Sequence, residues 1–541
     1  MQDMRNLLRG VCDSDENIVG LTLLLIHLYR RKDSRALFAS ALKEGRLGDL
    51  SGLSGMSDIP NIEDVAVFFG DELDKLSGDP VLASLLLENL DAVESLPDSD
   101  RFGKDYAEWF EKVLQDCCDN CVTFSHKYSV LPAEIEELAS RLCGCSEGTA
   151  FYVPYSGPAS FCTGLPSGTD FLAQEPSPIL WAIGMLRLDA HGADTYRFLC
   201  QNPVSNVLAG EVAELSRRAD CIMVGLSDVS QQTMRNGTSF LSEMLGNLKE
   251  NGQLFAIVPP CFLTAGKGKE REFRMSLVES GYACSIIQLP ENLFGNTSLR
   301  HYIIHIDRRK GNPEHSVRFV DASHCCTRSR RLNILQTDEV LALISGADSG
   351  KVKSVPAAAI FGNDCSLSPE FYLATELTVP EGYERVRVGE IAALARTSRA
   401  GEKIGRLVKG ADLSDSPFEW KKSFEDFEES ELPPDAMKLS RPAIICSRLG
   451  GLRATYVEAS ADLPVFLPHC AIALEIIEGK VFIPYFIYAL NEAARRYATG
   501  TNTIVADILS WRLDLPGIEI QRSVYRDLER QHKLALVKEY H

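Results

Sequence analysis

The 541-residue sequence has no apolar run long enough to cross a membrane: the longest near its start, IVGLTLLLIHLY from Ile18, has 12 residues, where a helical span takes about 20. A secretory leader is not indicated either, because Asp13, Asp15 and Glu16 stand where its basic residues would be. The expectation is a cytoplasmic protein without a membrane partner. Cysteine is sparse, 16 in 541 residues, which excludes a disulfide scaffold and predicts reduced core thiols. An excess of positive charge is missing as well: 56 Lys and Arg face 75 Asp and Glu, for a net charge of −19. A chain of that balance is no general polyanion binder by composition. No internal repeat and no low-complexity tract occurs, so solenoids, fibres and disordered chains are excluded.

What is present reads as a multidomain globular α/β protein. Hydrophobic residues make up 45% and charged residues 24%, enough to bury several cores. The charge is uneven, summing to −14 over residues 1–150, −3 over 151–380 and −2 over 381–541. Helical spacing runs from Asn6 to about Cys121, as in VLASLLLENLDAVESL (81–96), and predicts an N-terminal helical domain over 1–124. Its acidic stretch is a solvated face or a docking surface for a basic partner. From 125 to 340, β-rich runs alternate with helices and predict a doubly wound, Rossmann-like domain with a parallel sheet. Its strands are AFYVP (150–154), ADCIMVG (219–225), QLFAIVPP (253–260), ACSIIQLP (283–290), RHYIIHID (300–307) and HSVRFVDA (315–322). Two helices, 239–252 and 270–281, are expected to close on Gly252 and Gly281. A connector (341–384), a C-terminal α+β domain (385–516) and a charged terminal helix (517–541) complete the chain.

Four blocks of the α/β segment carry a resemblance: PAEIEELASRL (132–142), FLAQEPSPILWAIGMLRLDAHGADT (171–195), the run from Asn251 to Lys310 containing VPPCFL and LPENLF, and SVRFVDAS (316–323). In this order they resemble the DNA adenine-N6 methyltransferase (modification) subunit of type I restriction-modification systems. The resemblance implies S-adenosylmethionine as cofactor, held at the carboxyl ends of the central strands, with Glu175 at the position of the acid that binds the ribose hydroxyls.

The sequence departs from the family at both chemical loops. The family's Asp-Pro-x-x-Gly-x-Gly-Gly aligns with Val153-Pro154-Tyr155-Ser156-Gly157-Pro158-Ala159-Ser160. Val153 replaces the acid, Pro158 removes an amide donor, and Ala159 and Ser160 add Cβ atoms where glycine is expected. The cofactor positions Val153, Gly157, Ala159 and Glu175 are therefore degenerate, and weak or absent cofactor binding is predicted. The family's catalytic Asn-Pro-Pro-aromatic loop, which holds a flipped adenine, aligns with Gly225-Leu226-Ser227-Asp228, where no asparagine accepts the amino group and no ring stacks. Pro259-Pro260-Cys261-Phe262 imitates the motif but follows the next strand.

The C-terminal segment carries a second resemblance. VRVGEIAAL (386–394), LSRPAIICSRLGGLRATYV (439–457), VFLPHCAIAL (465–474) and the run through Pro516 and Gln521 are similar to one target-recognition domain plus spacer helix of a type I specificity subunit. The resemblance implies double-stranded DNA as partner, and a homodimer or a partner subunit of a restriction-modification complex as assembly. Candidate DNA contacts are Lys421, Lys422, Arg448, Arg453, Arg495 and Arg496, with Lys267 and Lys269 in the GKGKE loop of the α/β domain.

Other constellations carry less. Cys117, Cys118 and Cys121 with Cys143 and Cys145 contain a Cys-x-x-Cys that could supply a zinc site, but that cluster lies in a helical pattern with Cys117 and Cys121 on one face, Cys-x-Cys is not the usual second half, and His324-Cys325-Cys326 is a weaker case, so no metal is expected. GKGKE has no Ser or Thr after its lysine and is no phosphate-binding loop. His191 reads as structural. The expectation is a DNA-recognition protein on an inactive methyltransferase scaffold. An active enzyme with unusual motifs and a scaffold that binds no DNA stay open as alternatives.

Overall fold

The computed structural model describes residues 2–30, 32–47, 62–92, 104–121, 130–144, 146–165, 169–193, 197–203, 219–225, 240–264, 269–280, 282–294, 300–311, 316–329, 332–363, 365–373, 381–413, 416, 418–447, 452–477, 479, 481–497, 508–509 and 511–539. They form two compact units, residues 1–262 with 267–365, and residues 263–266 with 366–541. Among the described residues no helix is long and apolar enough to cross a membrane.

The first unit opens with helices α1 (Gln2–Leu8), α2 (Asp15–Arg30), α3 (Lys32–Lys43), α4 (Ile62–Phe68), α5 (Gly70–Gly78), α6 (Pro80–Ala92) and α7 (Lys104–Asp119). Helix α2 has Asp15 and Glu16 in its first turn, where they favour the helix dipole. Its remaining residues are apolar nearly all round, the pattern of a central helix, and Leu21, Leu23, Leu24, Leu25 and Leu28 are all fully buried. Farther along follow α8 (Ala133–Cys143), α9 (Pro178–Ala190) and α10 (Lys269–Glu279). Helix α2 meets α9 at Gly20, where a Cβ would stand 2.5 Å from Ile179 Cδ1; glycine allows that approach. Fully buried His27 joins the same pair, with Nδ1 3.0 Å from Tyr106 Oη and Nε2 2.7 Å from Asp189 Oδ2. One apolar core runs from Met4 through α9 to Val352, so the helical and α/β segments share an interior.

The sheet contains β1 (Ala150–Pro154), β2 (Asp170–Gln174), β3 (Phe198–Leu199), β4 (Ala219–Gly225), β5 (Leu248–Val258), β6 (Tyr282–Gln288), β7 (Tyr302–Gly311), β8 (Ser316–Asp321) and β9 (Val352–Pro356). Their order is β9-β8-β6-β7-β5-β4-β1-β2-β3. The central strands are apolar on both faces, as helices on both sides require. Two expectations are corrected. The sheet is mixed, because β7 runs antiparallel to β5 and β6, and β9 antiparallel to β8; strand direction leaves no trace in a local apolar pattern. The helix expected over 239–252 spans 240–247, and β5 starts at Leu248. Gly252 lies inside that strand, where a Cβ would stand 2.7 Å from the Leu248 side chain and 3.1 Å from the Asp220 carbonyl, so it serves close approach and no helix stop.

The second unit is built on a five-stranded sheet of Ala392–Leu394, Ala471–Ile476, Ala443–Ser447, Arg453–Val457 and Lys421–Lys422, in that order. A ribbon pairs Tyr383–Arg387 with Arg512–Pro516, and helices Ile483–Tyr497 and Ile518–Glu539 pack with it around fully buried Trp511. Gln521, 1% exposed, fixes the junction. Its Nε2 donates to the Pro516 carbonyl at 2.8 Å and its Oε1 accepts the Phe482 amide at 2.9 Å.

Candidate functional site

The crevice that the fold offers a ligand lies at the carboxyl ends of the parallel strands. The chain leaves β1 there through an unusual loop. Tyr155, Gly157, Ala159 and Phe161 all have positive φ, at 53°, 56°, 59° and 65°. Only Gly157 adopts this conformation freely; the other three carry a Cβ at about 1–2 kcal/mol each. Of the two residues expected to stand where glycine fits, Ala159 has the left-handed backbone that favours glycine and Ser160 does not. Ala159 is accommodated at full burial, Ser160 is not left-handed, and the residues that take the glycine-like conformation are Tyr155, Ala159 and Phe161.

The surroundings hold that loop in place. From Ser156 to Ser160 every amide able to donate has an acceptor within the protein. Ser156 N–H reaches the Gln174 carbonyl (3.0 Å), Ala159 N–H the Gly157 carbonyl (2.8 Å), and Ser160 N–H the Ser156 carbonyl (2.8 Å). Gly157 N–H donates to Glu175 Oε2 at 2.9 Å, and Ser177 N–H to Glu175 Oε1 at 2.7 Å. Pro158 has no amide hydrogen. Burial pushes the Glu175 carboxyl up to about 7, although both amides act to lower it. Phe161 packs edge-on against Phe255 at 5.8 Å, and Tyr155 against Phe240 at 5.4 Å while its hydroxyl donates to Asn202 Oδ1.

Helix α9 presses on the loop from below. A Cβ on Gly184 would stand 2.8 Å from the Ala159 amide nitrogen. One turn later Arg187, 2% exposed, donates to the Pro158 carbonyl (3.2 Å), Glu136 Oε1 (3.2 Å) and Glu111 Oε1 (2.6 Å). His191 Nε2 lies 2.7 Å from the same Glu111 oxygen, and Thr163 Oγ1 donates to Glu136. Burial would raise the Glu111 carboxyl, but Arg187 and His191 outweigh it and bring it down to about 2. Helices α7, α8 and α9 thus converge through one buried cation on the carbonyl of Pro158. Sequence reasoning missed Arg187, Glu111 and Glu136 as site residues.

These residues do not fit S-adenosylmethionine. Val153 is a buried, uncharged side chain at the end of β1, the loop amides from Ser156 to Ser160 are engaged, and the buried side chains of Ala159 and Ser160 stand at two of the three aligned glycine positions. Glu175 stands at the end of β2 with both oxygens on backbone amides. Gly225 ends β4 opposite Ile257. Its conformation does not demand glycine, and among the described residues an added Cβ would meet only Leu131 Cδ1, at 3.9 Å. Leu226, Ser227 and Asp228 lie outside the described residues.

The candidate DNA contacts divide. Lys421 and Lys422 lie on the edge strand beside the one that Arg453 begins, Lys421 opposite Tyr456 and Lys422 opposite Val457, so Lys421 and Lys422 face opposite sides of the sheet. Lys421 pairs with Glu458 at 2.8 Å, and Arg453 donates to the Gly410 carbonyl at 3.3 Å. Lys269 is exposed at the start of α10. Arg495 and Arg496 lie on helix Ile483–Tyr497, with side chains outside the described set, and Lys267 and Arg448 lie outside it altogether. Among the described residues no three His, Cys, Asp or Glu side chains are placed to hold a metal ion. Cys117, Cys118 and Cys121 are buried in the helical core.

The first unit thus has a doubly wound α/β fold, a large mixed sheet with the 155–161 loop and Gly225 at the carboxyl ends of its parallel strands. Residues 224–378 match the family model of N-6 DNA Methylase. A type I restriction-modification methyltransferase subunit from Streptococcus thermophilus is similar in fold, at 16% identity over 68% of this chain and 97% of that one, with a TM-score of 0.52. A chain of a type I restriction-modification system shows 14% identity over 67% and 88% at 0.46, and the type IIG restriction endonuclease BpuSI 12% over 98% and 74% at 0.48. The α/β domain resembles the N-6 DNA methylases of type I restriction-modification systems.

Proposed function

We propose that this chain recognises double-stranded DNA within a restriction-modification type of assembly and transfers no methyl group. One observation carries the reading: the loop that would receive S-adenosylmethionine spends its own amides internally and fills its glycine positions with buried side chains. Because the loop is also held by Arg187 and Glu175, opening it means breaking buried charge contacts. The second unit acts as the target-recognition domain, with Gln521 fixing the helix that leads to a second copy or a partner subunit. Its Lys421, Lys422 and Arg453 supply phosphate or base contacts.

The test is a methyl-transfer assay with radiolabelled S-adenosylmethionine on a mixed-sequence duplex pool, run beside DNA binding at two salt concentrations. The reading expects no label in DNA and salt-dependent binding. Labelled adenine would establish an active enzyme. Absence of both label and binding would leave the scaffold reading.

A further inference from the structure

Cys143 is the last residue of α8 and is buried, at 3% exposed. The face of the sheet that it meets carries a polar row. Cys221 on β4 stands opposite Gln253 on β5, and Gln253 opposite Asp307 on β7. Side chains paired across neighbouring strands share a face, and His305, which alternates with Asp307 along β7, projects on that face too. All four are buried.

The helix end and the row are joined. Gln253 Nε2 donates to the Cys143 carbonyl, and Gln253 Oε1 lies 3.1 Å from His305 Nε2. The Cys143 sulfur is hydrogen-bonded to the Cys221 thiol and to the His305 ring. Both cysteines are free thiols. Arg309, paired with Asp307 at 3.0 Å, places its positive charge beside both. The Cys221 hydrogen bond, joined by the His305 ring and the Arg309 charge, outweighs burial and holds the Cys143 thiol below its ordinary range. Cys284 on β6 is the contrast: it is 4% exposed, and burial alone pushes its thiol up to about 12. An isolated buried thiol is inert, whereas a thiolate touching a second thiol is arranged to oxidise to a disulfide.

We propose that Cys143 and Cys221 are an oxidisable dithiol, a modification site at which a hydroperoxide closes a reversible disulfide between the end of α8 and the middle of the sheet. The Cys143 thiolate attacks a peroxide oxygen, the O–O bond breaks, and hydroxide leaves, so that Cys143 becomes a sulfenic acid. The Cys221 sulfur then attacks the Cys143 sulfur. The S–S bond forms as the sulfenic S–O bond breaks, and the Cys221 proton leaves with that hydroxyl as water. The two thiols lose two electrons and the peroxide gains them; a dithiol reductant reverses the change. Peroxide is small, and exposed Gly144 and Arg309 flank Cys143. Helix α8 also carries Glu136, which holds Arg187 and through it the crevice loop, so the bond clamps that helix to the strand ending at Gly225. Nothing in this chemistry depends on DNA or on S-adenosylmethionine.

The test treats the reduced full chain with hydrogen peroxide at pH 7, then quenches, unfolds, alkylates and digests it for mass spectrometry. The expected product is a disulfide-linked peptide pair containing Cys143 and Cys221, formed at least about tenfold faster than any oxidation of Cys284 and lost on adding dithiothreitol. Cys221→Ser should leave Cys143 as a sulfenic acid that dimedone traps, and Cys143→Ser should leave Cys221 reduced. The oxidised chain should unfold at a higher urea concentration than the reduced one, because the bond restricts the unfolded chain. Oxidation of the pair no faster than that of Cys284, or a disulfide from Cys221 to Cys145 in place of Cys143, overturns the proposal. A urea midpoint that is unchanged or lower on oxidation overturns the clamp. The wild-type chain alone decides each of these, should a serine variant fail to fold.

Discussion

Arg187→Met should be among the most damaging single substitutions in the first unit. The guanidinium side chain is 3% exposed and faces Glu136, itself 6% exposed, and Glu111, 30% exposed. Removing one member of a buried ion pair leaves an uncompensated charge and costs about 3–5 kcal/mol. Here the loss also frees the Pro158 carbonyl, adding the desolvation cost of an unpaired acceptor. Glu111→Gln should cost about 1 kcal/mol, because its partly exposed carboxylate is screened by water. Arg187→Met/Glu136→Leu removes both buried charges and should cost less than Arg187→Met alone. The assay is urea unfolding in a Trp420→Phe/Trp511→Phe background, so that fluorescence reports Trp109 and Trp181 of the first unit. A cost for Arg187→Met below about 1 kcal/mol would refute the claim that this cation holds the crevice loop.

Three further outcomes are expected. Glu175 binds its proton more tightly in the folded state, with a carboxyl near 7 against an ordinary 4.5. The folded protein therefore holds the extra proton between those values, and stability falls as pH rises from about 4.5 to 7, by about 3 kcal/mol; Glu175→Gln should flatten that slope in urea titrations at each pH. Gln521→Ala strands the Pro516 carbonyl and the Phe482 amide that it now satisfies, and should lower second-unit stability by about 2–4 kcal/mol in urea unfolding followed by Trp420 and Trp511 in a Trp109→Phe/Trp181→Phe background. Gly225→Asn has room for its Cβ, so it should fold as the parent does and still transfer no methyl group in the labelled assay, because the cofactor loop is unchanged. Recovered activity would show that the loop admits cofactor.

Much of the scaffold is legible in the amino-acid order. AFYVP and ADCIMVG coincide with β1 and β4 to the residue, since short apolar runs between turn residues have few other uses. The start of β5 is illegible because Leu248-Lys249-Glu250-Asn251 reads as a polar helix end, and only pairing with β4 makes it strand. The site was legible in where it departs from the family it resembles, and less so in what replaced the missing parts. Tyr155, Ala159 and Phe161 have little intrinsic preference for a left-handed backbone, so no local rule places them there. Arg187 stands in an apolar helical stretch, and its partners Glu136 and Glu111 are 51 and 76 residues away. Such a network exists only after folding.

The most direct measurement is calorimetric titration of the full chain with S-adenosylmethionine at pH 7. A loop with no free amide between Ser156 and Ser160 and no acid at position 153 predicts no saturable heat up to about 1 mM ligand, an affinity weaker than about 4 kcal/mol. A one-site isotherm in the micromolar range would contradict the account, because the cofactor would then have found room where the structure shows buried side chains.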